Sequence, residues 1–213
     1  GRSNNSALLV RDETTKEQFS ELMKSVKEFG EPGFVWADST ELLVNPCVEI
    51  GMWPVCEKTG ESGWQACNLS TINCSKIKTE QDFFDACRAA TIIGTLQAGF
   101  SKFDYLGEAS ERIIAREALL GVSMTGIMET HDICLDPSIQ KRGANIVKKT
   151  NKKLAESLGI KQAARTTCIQ PEGTSSCILG TSNGIQPHPA KRYILRVQAN
   201  KMEPIYNFFR EIK

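Results

Sequence analysis

Net charge is nearly absent from this sequence: 26 Lys and Arg stand against 25 Asp and Glu over 213 residues, leaving +1. A protein held to nucleic acid by bulk charge needs a basic surplus on some face, so that class is set aside and no nucleic-acid partner is expected. Long apolar runs are also missing. Stretches such as Ala89 to Gly94 fall far short of the roughly 20 residues that cross a bilayer, and no signal peptide is visible at the start, so no membrane partner is expected. Histidine is scarce, with only His131 and His188. No CxxC pair occurs among the eight cysteines, so a zinc site is not expected and no metal ligands are assigned. The cysteine spacings (47, 56, 67, 74, 87, 134, 168, 177) form no dense framework, and the chain is long enough for a real core. A disulfide scaffold is therefore set aside in favour of a reducing cytoplasm, with most cysteines as small buried hydrophobes.

What is present is ordinary for a globular protein: 40% apolar, 24% charged and 7% aromatic residues, enough for one large domain or two small ones. The chain opens on Gly1-Arg2-Ser3 without Met, which reads as a fragment or a cleaved piece. Ala7 to Val10 suits a buried strand. Thr14 to Glu17 reads as a capping box before a helix carrying Phe19, Leu22, Met23, Val26 and Phe29, stopped by Gly30 and Pro32-Gly33. Phe34 to Trp36 reads as a second strand. From Leu42 to Asn73 there is no helical period, and the polar turn residues 57–63 read as an exposed excursion.

Thr79 and Asp82 cap a long helix running to about Gly99. Another helix is expected over Glu108–Leu120, followed by an apolar stretch of small residues to Met128. Pro137 opens an amphipathic helix to Leu158, with Ile139, Ile146, Val147, Leu154 and Leu158 inward and Lys148, Lys149, Lys152 and Lys153 on a solvated face. Thr166 to Ile169 and Tyr193 to Val197 read as strands, and a final short helix holds Ile205, Phe208 and Phe209. Helices alternating with short strands indicate an α/β architecture.

Three constellations carry chemistry. In Asn45-Pro46-Cys47-Val48-Glu49-Ile50 an extended backbone would project an amide, a thiol and a carboxylate to one side. The bland alternative is a strand ending in a Pro-bearing turn with a buried Cys. In Cys67-Asn68-Leu69-Ser70-Thr71-Ile72-Asn73 a second thiol follows Cys47 by twenty positions, close enough for a folded loop to bring the sulfurs together. Here Asn68 and Asn73 could simply satisfy backbone groups. Pro171-Glu172-Gly173-Thr174-Ser175-Ser176 is a Gly-containing strand-to-helix turn of the kind that binds anions, without the Lys of a nucleotide-hydrolysing loop. A thiol hydrolase built on Cys47 and Glu49 is disfavoured, because a cysteine nucleophile normally needs a nearby histidine.

NPCVEI, CNLSTIN and PEGTSS, in this order, resemble the catalytic subunit of ribonucleotide reductases. The likeness continues through Gly94–Gly99 (GTLQAG), Glu117–Ser123 (EALLGVS) and Asn183-Gly184-Ile185. It implies part of a ten-stranded α/β barrel with a central finger loop, residues 1–213 forming its central-to-late portion, incomplete alone. It further implies reduction of ribonucleoside di- or triphosphates to deoxyribonucleotides, with thioredoxin or glutaredoxin as reductant. Cys47 matches the thiyl-radical cysteine, Glu49 the base for the 3′-hydroxyl, Asn45 the amide that holds the sugar, and Cys67 one of two thiols that reduce the 2′ position. Pro171, Glu172, Gly173, Thr174, Ser175 and Ser176 match the turn that holds the substrate phosphates.

Two departures stand out. The family usually has Gly where Val48 stands. The partner thiol of Cys67 normally lies upstream of residue 1, with Cys56 a weak substitute, so a complementary chain is one possible partner. Gly173 at the third position of the turn, together with EALLGVSMTG, is similar to the adenosylcobalamin-dependent branch. The alternative is a radical delivered by a metal-containing second subunit.

Overall fold

The computed structural model describes residues 5–194 and 199–212. Its elements alternate as the patterning predicts: β1 (Ser6–Val10), α1 (Lys16–Phe29), β2 (Gly33–Ala37), β3 (Leu43–Val44), β4 (Gly51–Met52), β5 (Asn68–Asn73), α2 (Glu80–Ala98), α3 (Gly107–Glu117), β6 (Leu120–Thr125), α4 (His131–Cys134), α5 (Pro137–Leu158), α6 (Ser175–Leu179) and α7 (Pro204–Glu211). Local chemistry sets several ends. The cap of α1 lies one residue later than the sequence suggests, because Thr15 accepts from Gln18 N while the Gln18 side chain accepts from Thr15 N. The Thr79 and Asp82 cap of α2 forms as expected. Helix α3 stops at Glu117, short of the expected Leu120, because Ala118 takes a left-handed backbone and Leu120 joins a strand. The expected strand at 166–169 is reduced to a parallel bridge between Thr167 and Val122. Tyr193 and Ile194 are irregular, and the rest of the strand expected there lies outside the described residues.

Among the described residues the strands pair as three two-stranded pieces and close no barrel. The βαβ unit β1-α1-β2 is parallel, β3-β4 is a short antiparallel hairpin, and β5-β6 is parallel with Asn68 opposite Leu120. The 166–168 segment adds to the free edge of β6 through Val122 N to Thr166 O and Cys168 N to Val122 O. The central layer therefore runs β5, β6, then 166–168.

Its two faces differ because side chains alternate along a strand. Ile72, Val122 and Met124 face α2 and α5 and form the main core with Phe83, Cys87, Ile139 and Val147. Helices α2 and α5 pack along each other, locked by the buried Asn151, which donates to Thr95 Oγ1 and accepts from Ala163 N. The buried stripe of α2 runs through Thr91, Gly94, Thr95 and Ala98, so Ile93 and Leu96 point outward. In α5, Leu158 is likewise exposed, and the lysine face is solvated as predicted. No described helix is long and apolar enough to cross a membrane.

Candidate active site

The other face of the layer is polar. In β5 it carries Leu69, Thr71 and Asn73, and in β6 Gly121, Ser123 and Thr125, with Cys67 and Cys168 at its margins. The β3-β4 hairpin lies over it, with Ile50 and Met52 packed on Leu119 beside Cys67, Leu69 and Cys168. The base of the hairpin is tied to α3 by Arg116, whose guanidinium sits 4.5 Å over the Trp53 ring and donates to the Trp53 and Val55 carbonyls. Buried Glu117 pairs with Arg116 and Arg165, linking α3 to the lead into the third strand.

The hairpin tip is a tight turn, closed by Val48 N to Asn45 O, and not the extended strand expected from alternation. Asn45 is buried and its Oδ1 accepts from Ile50 N at 3.0 Å. Cys47 is exposed at the tip. Val48 sits at φ +67°, a left-handed backbone that a β-branched residue resists. The turn thus demands the conformation that the family's Gly supplies freely. The two carboxylate oxygens of Glu49 are shut off from solvent and have no hydrogen-bond partner among the described residues, an unmet acceptor in the interior.

The thiol that faces Cys67 is Cys168, which sequence reasoning left without a role. Its sulfur lies 3.1 Å, and that of Cys67 3.4 Å, from the point where a Gly121 Cβ would stand. Gly121 is thus the gap through which the two sulfurs approach. The signal available in the sequence was the adjacency of Cys168 to the PEGTSS turn. The two cysteines flank β6 on opposite sides, and strands two apart are separated by about 10 Å, beyond the span of a disulfide without backbone movement. Cys56, the weak substitute, is buried in the excursion and shares a small cavity with Arg112, Ile113 and Arg116 of α3. Burial, then the neighbouring Cys168 and Glu49, push the Cys67 thiol up to about 12. Burial, then Glu49 and Glu172, push Cys168 to about 11. Both are protonated thiols at neutral pH, suited to giving up hydrogen and electrons but not to acting as thiolate nucleophiles.

The 171–176 turn follows the third strand and leads into the single-turn α6. Gln170 N donates to Ser123 Oγ, which anchors the turn to β6. Glu172 is 4% exposed at φ +57°, and its carboxylate accepts from the hydroxyls of Thr71 and Ser175. Asn68 and Asn73 do satisfy backbone groups: Asn68 Nδ2 donates to Leu119 O at 2.8 Å, and Asn73 Oδ1 accepts from Ser75 N.

A comparison with protein-family models finds no match. Among curated proteins, the chain is 24% identical over 202 residues to a probable adenosylcobalamin-dependent ribonucleoside-triphosphate reductase of Dictyostelium discoideum, covering 86% of this chain and 25% of that protein. It is 22% identical over 250 residues to the adenosylcobalamin-dependent ribonucleoside-triphosphate reductase of Lactobacillus delbrueckii subsp. bulgaricus, covering 95% of this chain and 32% of the relative. The crystal structure of a B12-dependent (class II) ribonucleotide reductase superposes on 85% of the chain with a TM-score of 0.55 at 21% identity, over 30% of its own length. The chain thus spans about a quarter to a third of the proteins it matches. In sequence and in fold, this chain is similar to a portion of the adenosylcobalamin-dependent (class II) ribonucleotide reductases.

Proposed function

We propose that residues 1–213 are the central-to-late portion of a ribonucleotide reductase barrel, with 45–50 as its finger, and that they reduce ribonucleotides by a thiyl-radical mechanism. The observation that carries this reading is the convergence, at one hairpin, of the solvent-shielded Glu49 carboxylate, which has no hydrogen-bond partner among the described residues, with the protonated thiol of Cys67 beneath it. In this reading the Cys47 sulfur takes the 3′ hydrogen of the ribose. Glu49, with both oxygens unpartnered among the described residues, accepts the 3′-hydroxyl proton. Asn45 has its Oδ1 committed to Ile50 N, so it meets the sugar through its Nδ2 donor. Cys67 and a second thiol then give two electrons and two protons. The C2′–O bond breaks, a C2′–H bond forms, water leaves and the sulfurs end as a disulfide, while the Cys47 thiol gives its hydrogen back to C3′ to restore the thiyl and Glu49 returns the proton to the 3′ oxygen. The strand spacing argues against Cys168 as that second sulfur and favours one from the remainder of the reductase. Residues 171–176 hold the substrate phosphates, and the names of the relatives favour a triphosphate.

Adenosylcobalamin would supply the radical equivalent that turns the Cys47 thiol into a thiyl. Exposure of Cys47 at the hairpin tip leaves its sulfur open to a bulky group. The cavities of about 340 and 450 Å3 lie on the core side of the layer and neither is lined by the hairpin tip, so among the described residues the exposed tip around Cys47 is what would meet the cofactor. The regenerating dithiol is of the thioredoxin or glutaredoxin kind.

The short span relative to the matched proteins favours a second reading, in which the chain is inactive until a complementary polypeptide joins it. The test is dCTP formation from CTP, against dCDP from CDP, with adenosylcobalamin and dithiothreitol. It is run on the chain alone and on the chain combined with extract of its source. Cobalamin-dependent dCTP from the chain alone supports a self-sufficient reductase, and product only on mixing supports the second reading. No deoxyribonucleotide under either condition contradicts both.

A further inference from the structure

Residues 181–193 carry a cluster of side chains that the reaction above leaves unused. The segment is pinned to the end of β6, where Thr125 Oγ1 donates to Ser182 O at 3.0 Å and accepts from Gly184 N at 2.9 Å. Glu129, in the turn between β6 and α4, is held by the same segment: its Oε1 accepts from Thr181 Oγ1 at 2.7 Å and from Ser182 N at 2.6 Å. His188 Nε2 lies 3.3 Å from that oxygen, and His188 Nδ1 lies 3.4 Å from Tyr193 Oη. The two rings sit 6.0 Å apart and 32° from parallel. An ionised carboxylate only accepts, so in the neutral imidazole the proton belongs on Nε2 and the lone pair of Nδ1 faces the phenol. Hydroxyl, imidazole and carboxylate thus stand in the order that activates a hydroxyl nucleophile, with a base in reach of it and a third group orienting the base. Tyr193 is 51% exposed, so an electrophile can reach its oxygen.

We propose that Tyr193 is a nucleophile that takes an acyl group from an activated ester, with His188 as its base and Glu129 as a positioning residue. In this step Tyr193 Oη bonds to the acyl carbon and its proton passes to His188 Nδ1. The bond from the acyl carbon to the leaving oxygen breaks, and His188 returns the proton to that oxygen or to water. Nothing is oxidised or reduced. The product is an O-acyl tyrosine, a covalent modification beside the 182–184 segment. The proposal stands apart from the reductase reading and is tested without it.

The test treats this chain with p-nitrophenyl acetate at neutral pH and follows acetylation of each tyrosine by peptide mass spectrometry. The reference is Tyr105, which is 99% exposed. Tyr193 is expected to be acetylated about ten-fold faster than Tyr105 or more, toward the low end of what a positioned base contributes because the site is wet. His188→Gln, a change on an exposed loop, brings Tyr193 down to the rate of Tyr105. Glu129→Gln keeps the acceptor for Thr181 and Ser182 and removes only the charge. It slows Tyr193 several-fold with amide exchange over 181–185 unchanged, and Glu129→Asp recovers part of the rate. Equal rates at Tyr193 and Tyr105 in the wild type overturn the proposal. So does fast acetylation of Tyr193 that survives His188→Gln, or acetyl found on Lys191 in place of Tyr193. Slowing in Glu129→Gln that comes with quickened exchange over 181–185 overturns the positioning role of Glu129.

Discussion

Val48 holds the hairpin tip in a left-handed backbone that its branched side chain disfavours by about 1–2 kcal/mol. Replacing it with Gly relieves that strain at a smaller entropic cost, so Val48→Gly is expected to stabilise the fold by up to about 1 kcal/mol, read as a raised urea midpoint. An unchanged or lowered midpoint means the turn is not strained there. The cysteines make a second residue-scale prediction. Cys47 and Cys177 are exposed, whereas Cys67 and Cys168 are partly buried thiols raised to about 12 and about 11. At pH 8, iodoacetamide is expected to label Cys47 and Cys177 first, with Cys67 and Cys168 lagging by at least ten-fold in peptide mass spectra. The raised values also fix a sign. Between about pH 9 and 12 the unfolded chain has shed these protons while the folded one keeps them, so stability is fully present below pH 9 and falls as pH rises. The motifs holding Cys47, Glu49 and Cys67 stand out along the chain. That Cys168 faces Cys67 does not, because nothing along the chain announces which strands flank β6.

At the scale of elements, patterning placed most helices well, because caps and apolar spacing are local. Thr79 and Asp82, Pro137, Gly30 and Gly159 mark ends that the structure keeps. What failed was set by tertiary contacts. The extended reading of 45–49 yields to a turn closed by Asn45, and the run at 166–169 keeps only a parallel bridge to Val122 on the edge of β6 that β5 leaves free. The two faces of the central layer show the same limit: the alternation in NLSTIN and LGVSMT is visible in the sequence, but which face meets α2 and α5 is decided by packing. Gly121 is where this can be tested. A Cβ there would stand 2.4 Å from Leu69 Cδ2 and crowd both sulfurs. Gly121→Ala is expected to destabilise by about 1–3 kcal/mol, as overpacking does, and to separate Cys67 from Cys168. Thermal unfolding with no loss of midpoint contradicts that geometry.

For the molecule as a whole, the described residues hold their main apolar core on the helix side of a three-strand layer, and a smaller apolar cluster around Leu119 seats the hairpin on the other face beside Thr71, Ser123 and Thr125. The α/β class follows from the sequence pattern, whereas barrel closure does not follow from 213 residues, and none closes among those described. The proposed radical reduction draws on the thiol and carboxylate of the hairpin tip and on the thiol of Cys67 beneath it. That account depends above all on Cys47. The measurement that tests it most directly is deoxyribonucleotide formation by the competent protein, chain alone or complemented, comparing Cys47→Ser with Cys177→Ser, the other exposed cysteine. The account predicts turnover lost by more than a thousand-fold in Cys47→Ser and kept within about two-fold in Cys177→Ser, since a hydroxyl cannot replace a thiyl sulfur. Turnover retained in a correctly folded Cys47→Ser would contradict it.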